Sequence, residues 1–176
     1  MTTIDDFQLR AVLWPKGRQY EDFTVGQCFE HHWGRTISAA DNTFFTTVTQ
    51  FHAPLYLNRP YAEAHGHPDI PINPLLVFNT VLGLSVEDLS EAGGPFVGVD
   101  DLTYLQPVYP GDTLTARSRT LDLRLTESRP GFGIVTWQTE GINQRGEVVI
   151  NFRRANLVAT RAARAKAAGA PRGDKP

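Results

Sequence analysis

Residues 73–90 read NPLLVFNTVLGLSVEDLS, and no other stretch limits the possible folds so sharply. Asn73 is a favoured helix N-cap. Pro74 falls at the first helical position, where its missing N–H is not needed and its fixed φ already suits the helix. Leu75, Leu76, Phe78, Val81, Leu82, Leu84 and Val86 follow, with Asn79 and Thr80 as the polar breaks before Ser85. Apolar surface on most sides is the pattern of a helix enclosed by other structure.

The rest of the chain supplies the enclosure. After Gly93-Gly94-Pro95 come four strand-like runs, 96–107, 112–126, 131–142 and 147–158. Turn signals at Tyr109-Pro110-Gly111-Asp112, at Arg129-Pro130-Gly131 and over residues 143–146 separate them. Such short connections predict antiparallel pairing of consecutive strands. Upstream, residues 27–37 alternate as a strand with Phe29 and Trp33 on one face. His31 and His32 then point to opposite faces, which excludes them as a metal pair. Ser38 and Asp41 have the spacing of a capping box, so Asp41 is structural, and the helix they start carries Phe44, Phe45 and Val48 inward. A short helical piece over residues 60–65 and the proline-rich loop GHPDIPINP lead into the central helix. The expected class is α+β: one strand before a long helix and four after it.

With 176 residues the chain is long enough for one domain with a real core and too short for two ordinary ones. No apolar run approaches the roughly 20 residues needed to cross a bilayer. The start, MTTIDDFQLR, lacks the basic and apolar regions of a secretory signal. Cys28 is the single cysteine, so no internal disulfide can form, which suits a reducing cytoplasm. Residues 161–176 carry a charge of +4 against −6 for the body before them. An Ala-, Gly- and Pro-rich end without apolar periodicity reads as a disordered basic tail, and a body without a basic stripe gives no reason to expect nucleic acid. The organisation is an N-terminal arm over residues 1–19, a domain over 20–160 and that tail.

Several strings carry a family resemblance: YEDFTVGQ, RTISAADNTFF, PLYLNRPYAEA, PINPLLVFNTVLGL, LQPVYPGDTLTARS and NQRGEVVINFRRANLV. Over residues 20–158 the chain resembles the MaoC-like (R)-specific enoyl-CoA hydratase branch of the hot-dog fold. PLY, LLVF and PVYPGDTL are most similar to the mesaconyl-CoA and itaconyl-CoA hydratase type. The resemblance implies a single hot-dog unit, a curved antiparallel sheet wrapped around a long central helix. It also implies a hydro-lyase that reversibly hydrates a 2-enoyl-CoA, such as the branched C5 dicarboxylic itaconyl- or mesaconyl-CoA, with no cofactor and no metal. The expected assembly is a dimer with an identical chain or a related hot-dog subunit, its site at the boundary.

The family loop pattern Gly-Asp-x-Asn-Pro-x-His falls on residues 50–56, QFHAPLY, and keeps only Pro54. Phe51 stands in place of the Asp and Tyr56 in place of the His that together handle the water. His52 as base and Tyr56 as donor are the replacements offered by position, unless they are a loop histidine and a packed tyrosine. For the thioester oxygen the family uses the start of the central helix. Here that means the Asn73 side chain or the amides of Leu75 or Leu76, since Pro74 has no N–H. Asn58 and Arg59 lie nearby as substrate-binding candidates, with Glu63, His65 and His67 as further polar groups, and Arg59, Arg153 and Arg154 as partners for a second carboxylate. The missing Asp and His equally suit a non-catalytic partner of an active sister subunit. A thioesterase would need Glu87 or Asp88, both far from the helix start.

Overall fold

The structure, a computed structural model, describes residues 17–169. All but the last three positions of the expected N-terminal arm lie outside the described residues. β1 (Cys28–Glu30) and β2 (Arg35–Thr36) precede three helices, α1 (Ala39–Val48), α2 (Arg59–Ala64) and α3 (Pro74–Leu84). A one-turn helix α4 (Val86–Leu89) follows, then β3 (Phe96–Tyr104), β4 (Thr113–Leu125), β5 (Phe132–Ile142), β6 (Val148–Ala159) and α5 (Arg161–Gly169). The sheet is antiparallel in the order β1-β4-β5-β6-β3, with β2 also on β4. With α3 laid across it, this is the hot-dog architecture. Among the described residues no helix is long and apolar enough to cross a membrane.

The cap chemistry at the start of α3 is realised. Asn73 is fully buried, and its Oδ1 accepts the Leu75 N–H at 2.9 Å. Val77 and Val81 face the sheet and pack with Ile37, Leu114, Val149 and Phe152, while the Phe78 ring meets Phe152 edge-on at 5.0 Å. Gly141 on β5 is what lets the helix come so near. A Cβ there would lie 2.5 Å from Val81 Cγ2 and 2.7 Å from Ile150 Cγ2. The helix is nevertheless not enclosed on all sides, since Leu75 remains 40% exposed. One sheet covers one side of a cylinder, and the opposite side needs a second layer.

Four other expectations change. The strand over residues 27–37 is two short strands, because the chain turns at residues 31–34. His31 goes into the core there, and Trp33 swings out to donate to Glu87 at 2.7 Å. The capping box of α1 forms, with Ser38 Oγ accepting the Asp41 N–H and Asp41 accepting the Ser38 N–H, so Asp41 is structural. What α1 buries is polar, however. Asn42 and Thr46 face inward, while Phe44 and Val48 are exposed. The reason is the irregular backbone beneath: Asn42 donates to the carbonyls of Tyr56 and Pro71 and accepts the Asn73 N–H at 2.8 Å. Buried main-chain groups of a proline-rich loop need such partners. Consecutive strands pair from β4 to β6, but β3 crosses to the far edge and pairs with β6. Residues 161–169, expected to be disordered, form α5. Thr160 Oγ1 accepts the Ala163 N–H, and the Arg161 N–H reaches the Glu21 carboxylate. The remainder of the basic tail lies outside the described residues.

Candidate active site

A cleft of about 330 Å³ opens beside the N-terminal turn of α3. Ile72, Pro74 and Val77 form one wall, and residues 104–108 on the crossing from β3 to β4 form the other. Leu55, Tyr56 and His67 close it from the loops around α2. The chain reaches this position through a sequence of local constraints. Gln50 adopts a positive φ of 56° at the end of α1, and a 3₁₀ turn at Pro54–Tyr56 follows. That turn is tied down by Asn42 through the Tyr56 carbonyl at 3.3 Å, and the rings of Phe51 and Tyr56 lie 5.7 Å apart. Tyr56 is thereby aimed into the cleft. Burial raises its pKa above the ordinary tyrosine value, so at neutral pH it is a hydrogen-bond donor and not a base.

Tyr104 stands across from it. Its hydroxyl donates to the Pro74 carbonyl at 2.9 Å, joining the edge strand to the start of α3. Burial, and secondarily its nearness to Tyr56, raises its pKa. His67 completes the polar lining with Gln106, and its Nδ1 lies 2.9 Å from the Tyr109 hydroxyl. Among the described residues, no Asp, Glu, Lys or Arg lines the cleft.

Among the residues singled out from sequence, the structure brings Tyr56 to the cleft and sends His52 elsewhere. His52 is exposed and is not part of the lining, so the expected pairing with Tyr56 is not the geometry found. Asn73, between the lining residues Ile72 and Pro74, is buried and does not itself line the cleft, nor does Leu75. The Asn73 side chain is already engaged, with Oδ1 taking the Leu75 N–H and Nδ2 donating to Thr46 Oγ1 at 3.2 Å. The Leu76 and Val77 amides both donate to the Asn73 carbonyl, so the helix start offers no free N–H. Free donors in the cleft are therefore side-chain groups of the lining. Asn58 caps α2 through the Tyr61 N–H, and Arg59 pairs with Asp69 at 2.8 Å; neither lines the cleft. Glu63 is exposed, and His65 stacks on Tyr61. Arg153 pairs with Asp101 at 3.1 Å, and Arg154 is buried against the Ser85 carbonyl. Tyr104 and Gln106 were missed, although Gln106 sits in the LQPVYPGDTLTARS string that carries the resemblance and Tyr104 immediately precedes it.

The other end of α3 holds a separate polar cluster. His31 Nδ1 is 2.7 Å from Asp88 Oδ2 and its Nε2 is 2.9 Å from Ser118 Oγ, which in turn meets Thr139 Oγ1 at 2.9 Å. Burial holds the His31 pKa below its ordinary value against the pull of Asp88. Burial also pushes Arg154, whose guanidinium lies over the Trp137 ring, down to about 10. These contacts anchor α4 and the helix C-terminus to the sheet. Glu87 and Asp88 are engaged there, one 11-residue helix (about 16 Å) from the cleft. Among the described residues, no group of three or more His, Cys, Asp or Glu could hold a metal ion.

Comparison with known proteins gives these geometries a family. The mesaconyl-CoA hydratase family matches residues 2–175. The mesaconyl-CoA hydratase of Haloarcula hispanica is 36% identical over 169 residues, covering 96% of this chain and 47% of that protein. This chain thus spans about half the length of the curated relatives it matches. A MaoC-like dehydratase from Rhodospirillum rubrum superposes with a TM-score of 0.73 at 27% identity, over 82% of this chain and 99% of that one. A Mycobacterium tuberculosis protein with a double hot-dog fold also superposes at 0.73, over 82% of this chain and 44% of that one; at 22% identity it shows the fold alone.

Proposed function

Because the chain belongs to the mesaconyl-CoA hydratase family, we propose that its cleft receives the acyl end of a 2-enoyl-CoA thioester during reversible addition of water across the α,β double bond. The observation that carries this reading is the pair of tyrosines, Tyr56 and Tyr104, facing an apolar cleft at the start of α3. Hydration places hydroxide on Cβ and a proton on Cα, and negative charge grows on the thioester oxygen between the two events. A hydroxyl donor held in a water-poor site stabilises that charge, and Tyr56, kept protonated by burial, is such a donor. We assign the reaction no cofactor, because it consists of proton transfers to an already polarised alkene. The substrate class is a branched C5 dicarboxylic acyl-CoA, as in the names of the relatives. The single cysteine suits a cytoplasmic setting.

The base that activates water is not supplied by this cleft in our reading. Phe51 replaces the family carboxylate and His52 is turned out. A second hot-dog unit supplies it, and two features favour that assembly. The relatives are about twice as long as this chain. The β3 edge also carries exposed Phe96, Val97 and Leu102, and an open apolar edge strand invites a partner. The competing reading is a homodimer active through Tyr56 alone, since Tyr56 does line the cleft.

Purified chain is assayed with a panel of enoyl-CoAs, first alone and then co-expressed with a related hot-dog unit that retains the Asp and His. Activity only in the mixed assembly, reduced about 100-fold or more by Tyr56→Phe as for loss of an oxyanion donor, supports the proposal. Full activity of the chain alone favours the homodimer. Indifference of both preparations to Tyr56→Phe refutes the role of the cleft.

A further inference from the structure

We propose that His67 is the specificity-determining residue of the cleft, binding the free carboxylate of a dicarboxylic acyl thioester. This rests on the hydration reading above and adds to it the group that distinguishes a dicarboxylic from a monocarboxylic acyl chain. A free carboxylate entering an apolar cleft needs hydrogen-bond donors there, because an ion stripped of water without partners is strongly disfavoured. The arginines that the sequence offers for the task are all engaged elsewhere. Arg59 is on Asp69, Arg153 is on Asp101, and Arg154 is buried against Ser85 at the other end of α3.

The lining itself holds no carboxylate that would repel an anion. Its donors are Tyr56, Tyr104, Gln106 and His67. Tyr104 already donates to the Pro74 carbonyl, Gln106 is on the exposed rim, and Tyr56 is assigned to the thioester oxygen. His67 remains, and it is held from behind. The Tyr109 hydroxyl is 2.9 Å from its Nδ1, and the two rings meet edge to face at 6.1 Å. Tyr109 is fixed in turn through its N–H to Asp112 Oδ2 at 2.9 Å, and Asp112 accepts from Gln144 at 2.6 Å. Nε2 has no hydrogen-bond partner among the described residues. With the Tyr109 hydroxyl donating to Nδ1, the ring carries its proton on Nε2 and presents it as a donor. Ile72, Val77 and Val108 supply apolar surface for the carbon chain in between.

The test uses the hydration-competent assembly identified above and two substrates of matched carbon skeleton, mesaconyl-CoA and 2-methylbut-2-enoyl-CoA. His67→Leu is expected to lower kcat/KM for mesaconyl-CoA by about 10- to 100-fold, the size of one charge-assisted hydrogen bond, and to change the monocarboxylic substrate by less than about threefold. Tyr109→Phe gives a smaller loss with the same selectivity, and His67→Gln restores part of it. An equal loss on both substrates, or no loss on either, overturns the assignment.

Binding of the saturated, unreactive thioesters methylsuccinyl-CoA and 2-methylbutyryl-CoA, followed by calorimetry, repeats the comparison without turnover. A preference for methylsuccinyl-CoA that disappears in His67→Leu supports His67 even if no hydration is observed, in which case the hydration reading alone fails. Absence of any preference in the unmodified protein overturns the assignment.

Discussion

Replacing Asn73 with alanine removes two hydrogen bonds at once, and each can be given a size. The Leu75 N–H loses the Oδ1 that caps it at 2.9 Å, a change that costs about 1 kcal/mol and up to about 2. Thr46 Oγ1, on a fully buried residue, loses the Nδ2 donor at 3.2 Å, which adds about 1 to 2 kcal/mol if the hydroxyl finds no new partner. The expected total is roughly 2–4 kcal/mol, equivalent to a fall in Tm on the order of 10 °C for a chain of this length. Urea unfolding followed by circular dichroism measures it, with an unchanged slope showing that stability and not compactness has altered. Asn58→Ala is the internal control. Asn58 caps α2 by a single bond to the Tyr61 N–H on an exposed surface, so its loss should stay near or below about 1 kcal/mol. If Asn73→Ala proves no more destabilising than Asn58→Ala, the buried network around the helix start does not hold the cleft wall as argued.

Two further changes probe the frame and its charge. Gly141→Ala drives a methyl into Val81 and Ile150 and should destabilise by about 1–3 kcal/mol, whereas Gly83→Ala on α3, where nothing stands within 4 Å, should stabilise by up to about 1 kcal/mol; thermal melts that rank the two the other way would refute the packing of helix on sheet. For Asp112, burial alone would raise the pKa, but the bonds from Gln144 and the Tyr109 N–H, aided by Arg145, outweigh it and hold the value below the ordinary one. A carboxyl depressed on folding contributes stability that is present above its unfolded value of about 3.9 and is lost as pH falls through the lower folded value. Asp112→Asn should therefore be less stable at neutral pH and lose less stability below about pH 4 than the unmodified chain, a difference read from urea midpoints across that range and absent if the contacts around Asp112 carry no weight.

How much of this could be read from sequence depends on the range over which each signal acts. The N-cap at Asn73, Pro74 at the first turn, the Ser38–Asp41 box and the turns that end β4 and β5 are contacts within a few residues, and they appear where local chemistry places them. The inward face of α1 was misread because apolar periodicity counts Phe44 and Val48 and does not count the loop carbonyls that Asn42 must satisfy. The strand over residues 27–37 was misread because His31 finds Asp88, 57 positions away, and alternation carries no trace of such a partner. His52 stood beside the lost Asp position of the family motif and so looked functional, but it is exposed and off the cleft, whereas Leu55 and Tyr56, on the 3₁₀ turn that follows, line it.

By itself the sequence determined the helix that organises the chain and the four strands that follow it, because each of these is written in residues close together along the backbone. The tertiary structure decided which groups meet. The crossing of β3 to the edge beside β6 brings Tyr104 to the start of α3, and the crossing back to β4 sets Tyr109 against His67. Residues 56, 67, 74 and 104 share one cleft, with Tyr109 against His67, only because strand order places them there. Strand order is set by the burial of whole faces against α3, a sum over many side chains that no single motif reports.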